Sequence, residues 1–147
     1  MSRLSIVLLT VLAIATFLAT AHAQPNPDAG LVRHFVSFKF LPSVSAQTRK
    51  EVMTVYRSLL HKCVNTTTGR PYIVSFDAGF PNSPEGKDQG MEQGYISTFA
   101  SVAERNYFVG RPFHFPYDPH HDAFKQFVGP LLDPKDGVIV FDFTVLP

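Results

Sequence analysis

Leu31-Val32-Arg33-His34-Phe35-Val36-Ser37-Phe38-Lys39-Phe40 alternates in polarity along its length. Val32, His34, Val36, Phe38 and Phe40 fall on one side and Arg33, Ser37 and Lys39 on the other, the period-two pattern of a half-buried strand. The reading directs the imidazole of His34 to the core side. Downstream the period changes. Val52, Tyr56, Leu59, Leu60 and Cys63 recur at helical spacing, and Ser43 or Ser45 is suited to cap the helix, which is expected over residues 45–63. A turn containing Gly69 follows at 66–71. Residues 72–80 alternate again, with Tyr72, Val74 and Phe76 together, and 81–90 is turn chemistry throughout. A third strand, 91–99, carries Met91, Gln93, Tyr95, Ser97 and Phe99 on one face. Ser101 with Glu104 forms a capping box that opens a short helix reaching about Phe108.

Three prolines interrupt residues 110–119 and exclude regular helix there. With Phe113, Phe115 and Tyr117, this loop is either an aromatic lid or pad, or a surface loop pinned by its own rings. Residues 120–132 regain helical spacing through Phe124, Phe127, Val128 and Leu131, with Pro130 in the last turn. Asp136-Gly137 then introduces a final strand, 138–145. The order β-α-β, β-α-loop-α-β is the split βαβ of a ferredoxin-like α+β sandwich, an antiparallel sheet with helices on one face. Phe38, Phe40, Tyr72, Phe76, Phe99, Phe141 and Phe143 supply more aromatic surface than one helical layer covers. Exposed apolar sheet invites a partner, and a homodimer is the natural expectation.

The chain of 147 residues is 45% hydrophobic, enough for the core of one domain. Arg3 lies in a segment expected to be removed, and the remaining chain carries 12 basic and 12 acidic residues. That balance argues against a nucleic-acid partner. The removed segment is residues 1–23: a short n-region with Arg3, an apolar run from Leu4 to about Ala19, and Ala21-His22-Ala23 at the cleavage point. The expected product is a secreted, extracellular protein with no membrane association after signal cleavage, a flexible lead-in at 24–30 and one domain over 31–146. Asn65-Thr66-Thr67 is a glycosylation sequon, readable equally as a polar turn. Cys63, the single cysteine, reads as a small buried hydrophobe rather than a reactive thiol.

Residues 32–40, the stretch Gly90 through Thr98-Phe99-Ala100-Ser101, Asp118-Pro119-His120-His121-Asp122-Ala123-Phe124 and Val140-Phe141-Asp142-Phe143, in this order, resemble the stress-responsive dimeric A/B barrel (Dabb) family. The resemblance covers essentially all of 31–145. It implies a ferredoxin-like monomer whose sheet packs on that of its partner, with a pocket between sheet and helices. Within the family the chain is distantly similar to the plant polyketide cyclase olivetolic acid cyclase, in which a histidine and a preceding tyrosine carry an intramolecular aldol condensation. Carried over by motif, the histidine is His121, the tyrosine Tyr107, the early pocket histidine His34 and the late aspartate Asp142. An alternative alignment through Arg111-Pro112-Phe113 makes His114 the motif histidine. Gln93 stands where the cyclase has another pocket histidine, and an amide orients a ligand but does not shuttle protons.

Chemistry next to a carbonyl needs a base and a donor for the developing oxyanion. His121 suits the first role, Tyr107 or His34 the second. Asp142 shares a strand face with Val138 and Val140, where a carboxylate needs a partner, and bonding His34 would fix the tautomer of that ring. His114, His120 and His121 with Asp118 and Asp122 match no zinc signature, so no metal and no cofactor is expected. Two functions follow. One is a cofactor-independent acid-base cyclase or lyase acting on a small apolar carbonyl or phenolic compound. The other is a non-catalytic, stress-related ligand-binding or structural barrel protein.

Overall fold

The computed structural model describes residues 26–110 and 116–147. Residues 1–23, expected to be a signal segment, and His114 lie outside the described residues. The elements are β1 (Val32–Phe38), α1 (Ala46–Lys62), β2 (Ile73–Gly79), β3 (Gln93–Phe99), α2 (Val102–Val109), α3 (Pro119–Val128) and β4 (Val138–Thr144), with a 3-10 turn at Gly129–Leu131. The four strands form one sheet in the order β2-β3-β1-β4, every pairing antiparallel. This is the ferredoxin-like α+β architecture. Residues 26–30 form a turn tied to the end of β4, the Gly30 amide donating to the Val145 carbonyl at 2.9 Å.

The helices start where side chains satisfy their first amides. The Thr48 amide donates to Ser45 Oγ at 3.1 Å, and the Glu104 amide to Ser101 Oγ at 3.2 Å. Glu104 Oε2 accepts in return from the Ala100 amide at 3.0 Å, completing the box. α3 begins earlier than its apolar spacing suggests. Pro119 occupies the first turn, and Asp118 Oδ1 accepts from the amides of His120 and His121. It also ends earlier, because Pro130 has no amide for the helical ladder and the chain tightens into the 3-10 turn.

Register decides which side chains meet. His34 lies opposite Ser97 on β3 and Asp142 on β4, and Val36 opposite Tyr95 and Val140. All the expected core-side residues of β1 and of 91–99 are buried. The expected Tyr72-Val74-Phe76 face is corrected by a β-bulge between Ile73 and Ser75. The extra residue shifts the alternation, so Val74 is exposed while Tyr72 and Ile73 are buried.

The aromatic excess divides differently from the expectation. Phe38, Phe40, Tyr72 and Phe99 are already buried under the helices, with Phe76 packed beside them. Phe141 and Phe143 alternate onto the opposite face, where Phe141 lies across from Phe35, itself opposite Ile96. The uncovered apolar surface is therefore Phe35, Ile96, Ile139, Phe141 and Phe143. No helix among the described residues is long and apolar enough to cross a membrane.

Candidate functional site

α1 packs on β2 and α3, while α2 lies over β1 and β3. The helical layer thus stops short of β4, whose helix-side residues Val138 and Val140 remain more than half exposed, at 52% and 55%. Between β1, β4 and α3 this leaves a cavity of about 360 Å³. Its walls are mostly apolar, among them Val36, Phe38, Phe124, Leu132 and Val140 with the ring of Tyr56, and its two imidazoles are His34 and His121. Lys125 sits at the rim, where Nζ donates to the Val109 carbonyl at 2.5 Å and lies 5.1 Å from the Tyr117 ring centre.

Each imidazole is held through one nitrogen. His34 Nδ1 is 2.6 Å from Asp142 Oδ1, and the other oxygen of Asp142 accepts from the Arg105 guanidinium. Burial works against the Asp142 carboxylate, but the hydrogen bonds and charges of His34 and Arg105 outweigh it and hold the group below the ordinary range. An ionised carboxylate only accepts, so Nδ1 of His34 carries a proton and donates to Asp142. His121 Nδ1 lies 2.5 Å from the Phe108 carbonyl, which likewise only accepts. Nδ1 of His121 therefore carries a proton as well.

Their surroundings differ. His121 is stacked on Phe108, with centroids 3.8 Å apart and planes 10° from parallel, and its ring is also parallel to that of Tyr56, 6.3 Å away. Burial pushes its pKa down to about 3, against a smaller upward contribution from the Phe108 carbonyl. It is a neutral acceptor at ordinary pH. His34 touches Phe108 edge-on at 5.9 Å and has a carboxylate behind it. Opposite His34 on β3, Ser97 Oγ is fully buried without a hydrogen-bond partner, the single such side-chain atom among the described residues.

The structure thus brings His34, Asp142 and His121 together at one cavity. Tyr107 is elsewhere. One helical position before Phe108, it is turned by about 100° into a separate hollow with Asn65, Thr66 and Tyr72, its ring 5.8 Å from that of Tyr72. Phe108, not Tyr107, is the α2 ring that packs on His121, and Val109 is the α2 residue that lines the cavity. Gln93 is buried but committed, its Nε2 donating to the Arg49 carbonyl at 2.8 Å and its Oε1 accepting from the Tyr95 hydroxyl. It does not line the histidine cavity. Cys63 is buried, and burial, with the Asp118 carboxylate nearby, pushes its thiol up. Asn65 is exposed in the turn after α1, its Oδ1 accepting from the amides of Thr67 and Thr68.

Sequence reading missed Tyr56 and Arg105. Tyr56 sits in the apolar stripe of α1 and was indistinguishable from core. Arg105 follows Glu104 on a short helix and looks like solvated surface, until Asp142 is known to face it across the sheet. Among the described residues, no cluster of three or more histidine, cysteine or acidic side chains is arranged to hold a metal ion.

Fold and cavity together define a ferredoxin-like domain with a histidine-lined pocket between sheet and helices. Residues 32–145 match the family described as Stress responsive A/B Barrel Domain (Dabb), and the chain belongs to that family. Among solved structures it is similar to a hydroxynitrile lyase from Passiflora edulis, at 20% identity over 80% of this chain and 94% of that one, with a TM-score of 0.62. A protein of Arabidopsis thaliana matches at 24% identity over 79% and 96% of the two chains, with a TM-score of 0.60. A dimeric ferredoxin-like protein of unknown function from Jannaschia sp. matches at 19% identity over 79% and 100%, with the same TM-score of 0.60. A search of curated proteins by sequence found no match.

Proposed function

We propose that the protein is an exported, homodimeric barrel that binds a small apolar carbonyl or phenolic compound in the His34–His121 cavity and acts on it by cofactor-independent acid-base chemistry, of the lyase or cyclase kind. One observation carries this reading: two imidazoles line one apolar cavity, each held through Nδ1. The carboxylate behind His34 makes it the proton acceptor. His121, neutral through burial, accepts from a ligand hydroxyl and orients it. The similarity to a hydroxynitrile lyase supports the lyase form. In that form His34 Nε2 takes the hydroxyl proton of a cyanohydrin, the oxygen electrons form the carbonyl, and the carbon–carbon bond to cyanide breaks. Cyanide leaves with the proton returned by His34. Export rests on the character of residues 1–23, and the homodimer on the apolar outer face of the sheet and on the dimeric neighbours. Within this reading Asn65, exposed beside the Tyr107 hollow, is the glycan acceptor.

The test uses mandelonitrile as substrate and benzaldehyde as ligand. Benzaldehyde release above the uncatalysed rate is expected. His34→Ala or His121→Ala should cost it about a hundredfold or more, the usual worth of a positioned acid or base, with benzaldehyde binding retained by calorimetry. Binding without turnover of this or other carbonyl substrates would favour the non-catalytic barrel, and neither binding nor turnover would overturn both.

A further inference from the structure

We propose that Arg105 is the positioning residue of the cavity: it holds Asp142 against β1, so that His34 keeps its proton on Nδ1 and turns Nε2 to the ligand. Asp142 is on β4, an edge strand whose neighbours on the same face, Val138 and Val140, are more than half exposed. The parity of β4 puts Asp142 on the cavity face but does not fix where on that face its carboxylate points. A solvated carboxylate on an edge strand would turn to water, where its charge costs least. The groups that hold it are His34 on one oxygen and Arg105 on the other. The guanidinium is itself fixed, its Nε donating to Asn106 Oδ1 at 3.0 Å, and its side chain is only 16% exposed. A planar, permanently charged group held on two sides is suited to clamp a carboxylate.

The position of Arg105 on α2 extends the argument. Three residues on, hence on the same helical face, Phe108 stacks on His121 and offers its carbonyl to His121 Nδ1. That carbonyl is one of the last in the helix and has no partner within it. One short helix therefore sets the proton of both imidazoles, one through its arginine and one through its free end. Arg105 touches neither the cavity nor the ligand. Its effect passes through Asp142 to the ring.

This inference deepens the acid-base reading of the cavity, but its test needs no ligand, so the two fail separately. Long-range ¹H–¹⁵N correlation spectra of the uniformly labelled protein at neutral pH report which nitrogen of each histidine is protonated. In the wild type, both His34 and His121 are expected as the Nδ1–H form. In Arg105→Gln, and in Arg105→Met, which keeps the apolar stem, His34 should pass largely to the Nε2–H form while His121 is unchanged. Arg105→Lys, which returns a positive charge, should restore the Nδ1–H form at least in part. The unchanged His121 resonances show that the variants are folded. His34 remaining fully Nδ1–H in both neutral variants would overturn the proposal, and so would equal changes at both histidines, which would mark a merely structural role for the helix.

Discussion

His121 illustrates how much a single side chain's surroundings alter its chemistry. Its ring is stacked on Phe108 with Tyr56 parallel and farther off, and burial pushes its pKa from the ordinary 6.5 down to about 3. The unfolded chain takes up a proton between those values and the folded chain refuses it. Stability is therefore complete above about pH 6.5 and is lost as the pH falls toward 3, at up to about 1.4 kcal/mol per pH unit from this group. Urea unfolding at a series of pH values should show the slope, and His121→Phe should reduce it by about one proton. Loss of the hydrogen bond to the Phe108 carbonyl lowers the absolute stability of that variant but leaves the comparison of slopes intact. An unchanged slope would mean that His121 is protonated in the folded state. Its neighbour His120 shares the motif but is exposed. Sequence placed both on a helix start; only packing distinguishes them.

At the scale of elements, most of what was legible came from period and caps. The alternation of β1 put His34 and the parity of β4 put Asp142 on the same face, and the capping box fixed the start of α2. What sequence could not convey was which ring of α2 packs on His121. Tyr107 and Phe108 are both aromatic, and a helix of eight residues has too few apolar positions to define its buried face. The bulge in β2 was equally invisible, since Val74 and Ser75 carry no turn chemistry. The prolines of 110–119 signalled the end of α2, and the structure places Gly110 as its C-cap. Its φ is +82°, and a Cβ there would lie 2.4 Å from the Tyr117 ring. Gly69, at φ +67°, has nothing within 4 Å. Gly69→Ala should thus cost about 1 kcal/mol, the backbone penalty alone. Gly110→Ala should cost about 1–3 kcal/mol more, because Tyr117 must leave its place. Thermal unfolding of the two variants compares them directly. Equal losses would mean that Tyr117 packs elsewhere in solution.

For the whole molecule, the sheet has one face covered by helices except along β4, and one that no helix covers. Along the open face Phe35, Ile96, Ile139, Phe141 and Phe143 form a contiguous apolar area across β3, β1 and β4, with Phe141 63% exposed. Under one end, the loop between β2 and β3 overhangs a hollow of about 420 Å³ lined by Phe35, Phe80, Met91 and Ile139. A two-fold pairing of this face uses the same residues twice, so one substitution acts on both sides of the interface. Phe141→Lys would set two charges into its apolar centre, each losing water without gaining a partner. Because Phe141 is exposed in the isolated chain, the substitution should hardly change the stability of the monomer. It should instead weaken association by at least about thirtyfold, the effect of a hot spot worth 2 kcal/mol. Sedimentation of the two proteins over a range of concentrations measures the shift. Val102→Lys, on the solvent side of α2 and 48% exposed, should leave the dimer as it is. A wild-type protein that sediments as a monomer would leave the open face to another partner, and a Phe141→Lys protein as dimeric as the wild type would place the interface elsewhere on the surface.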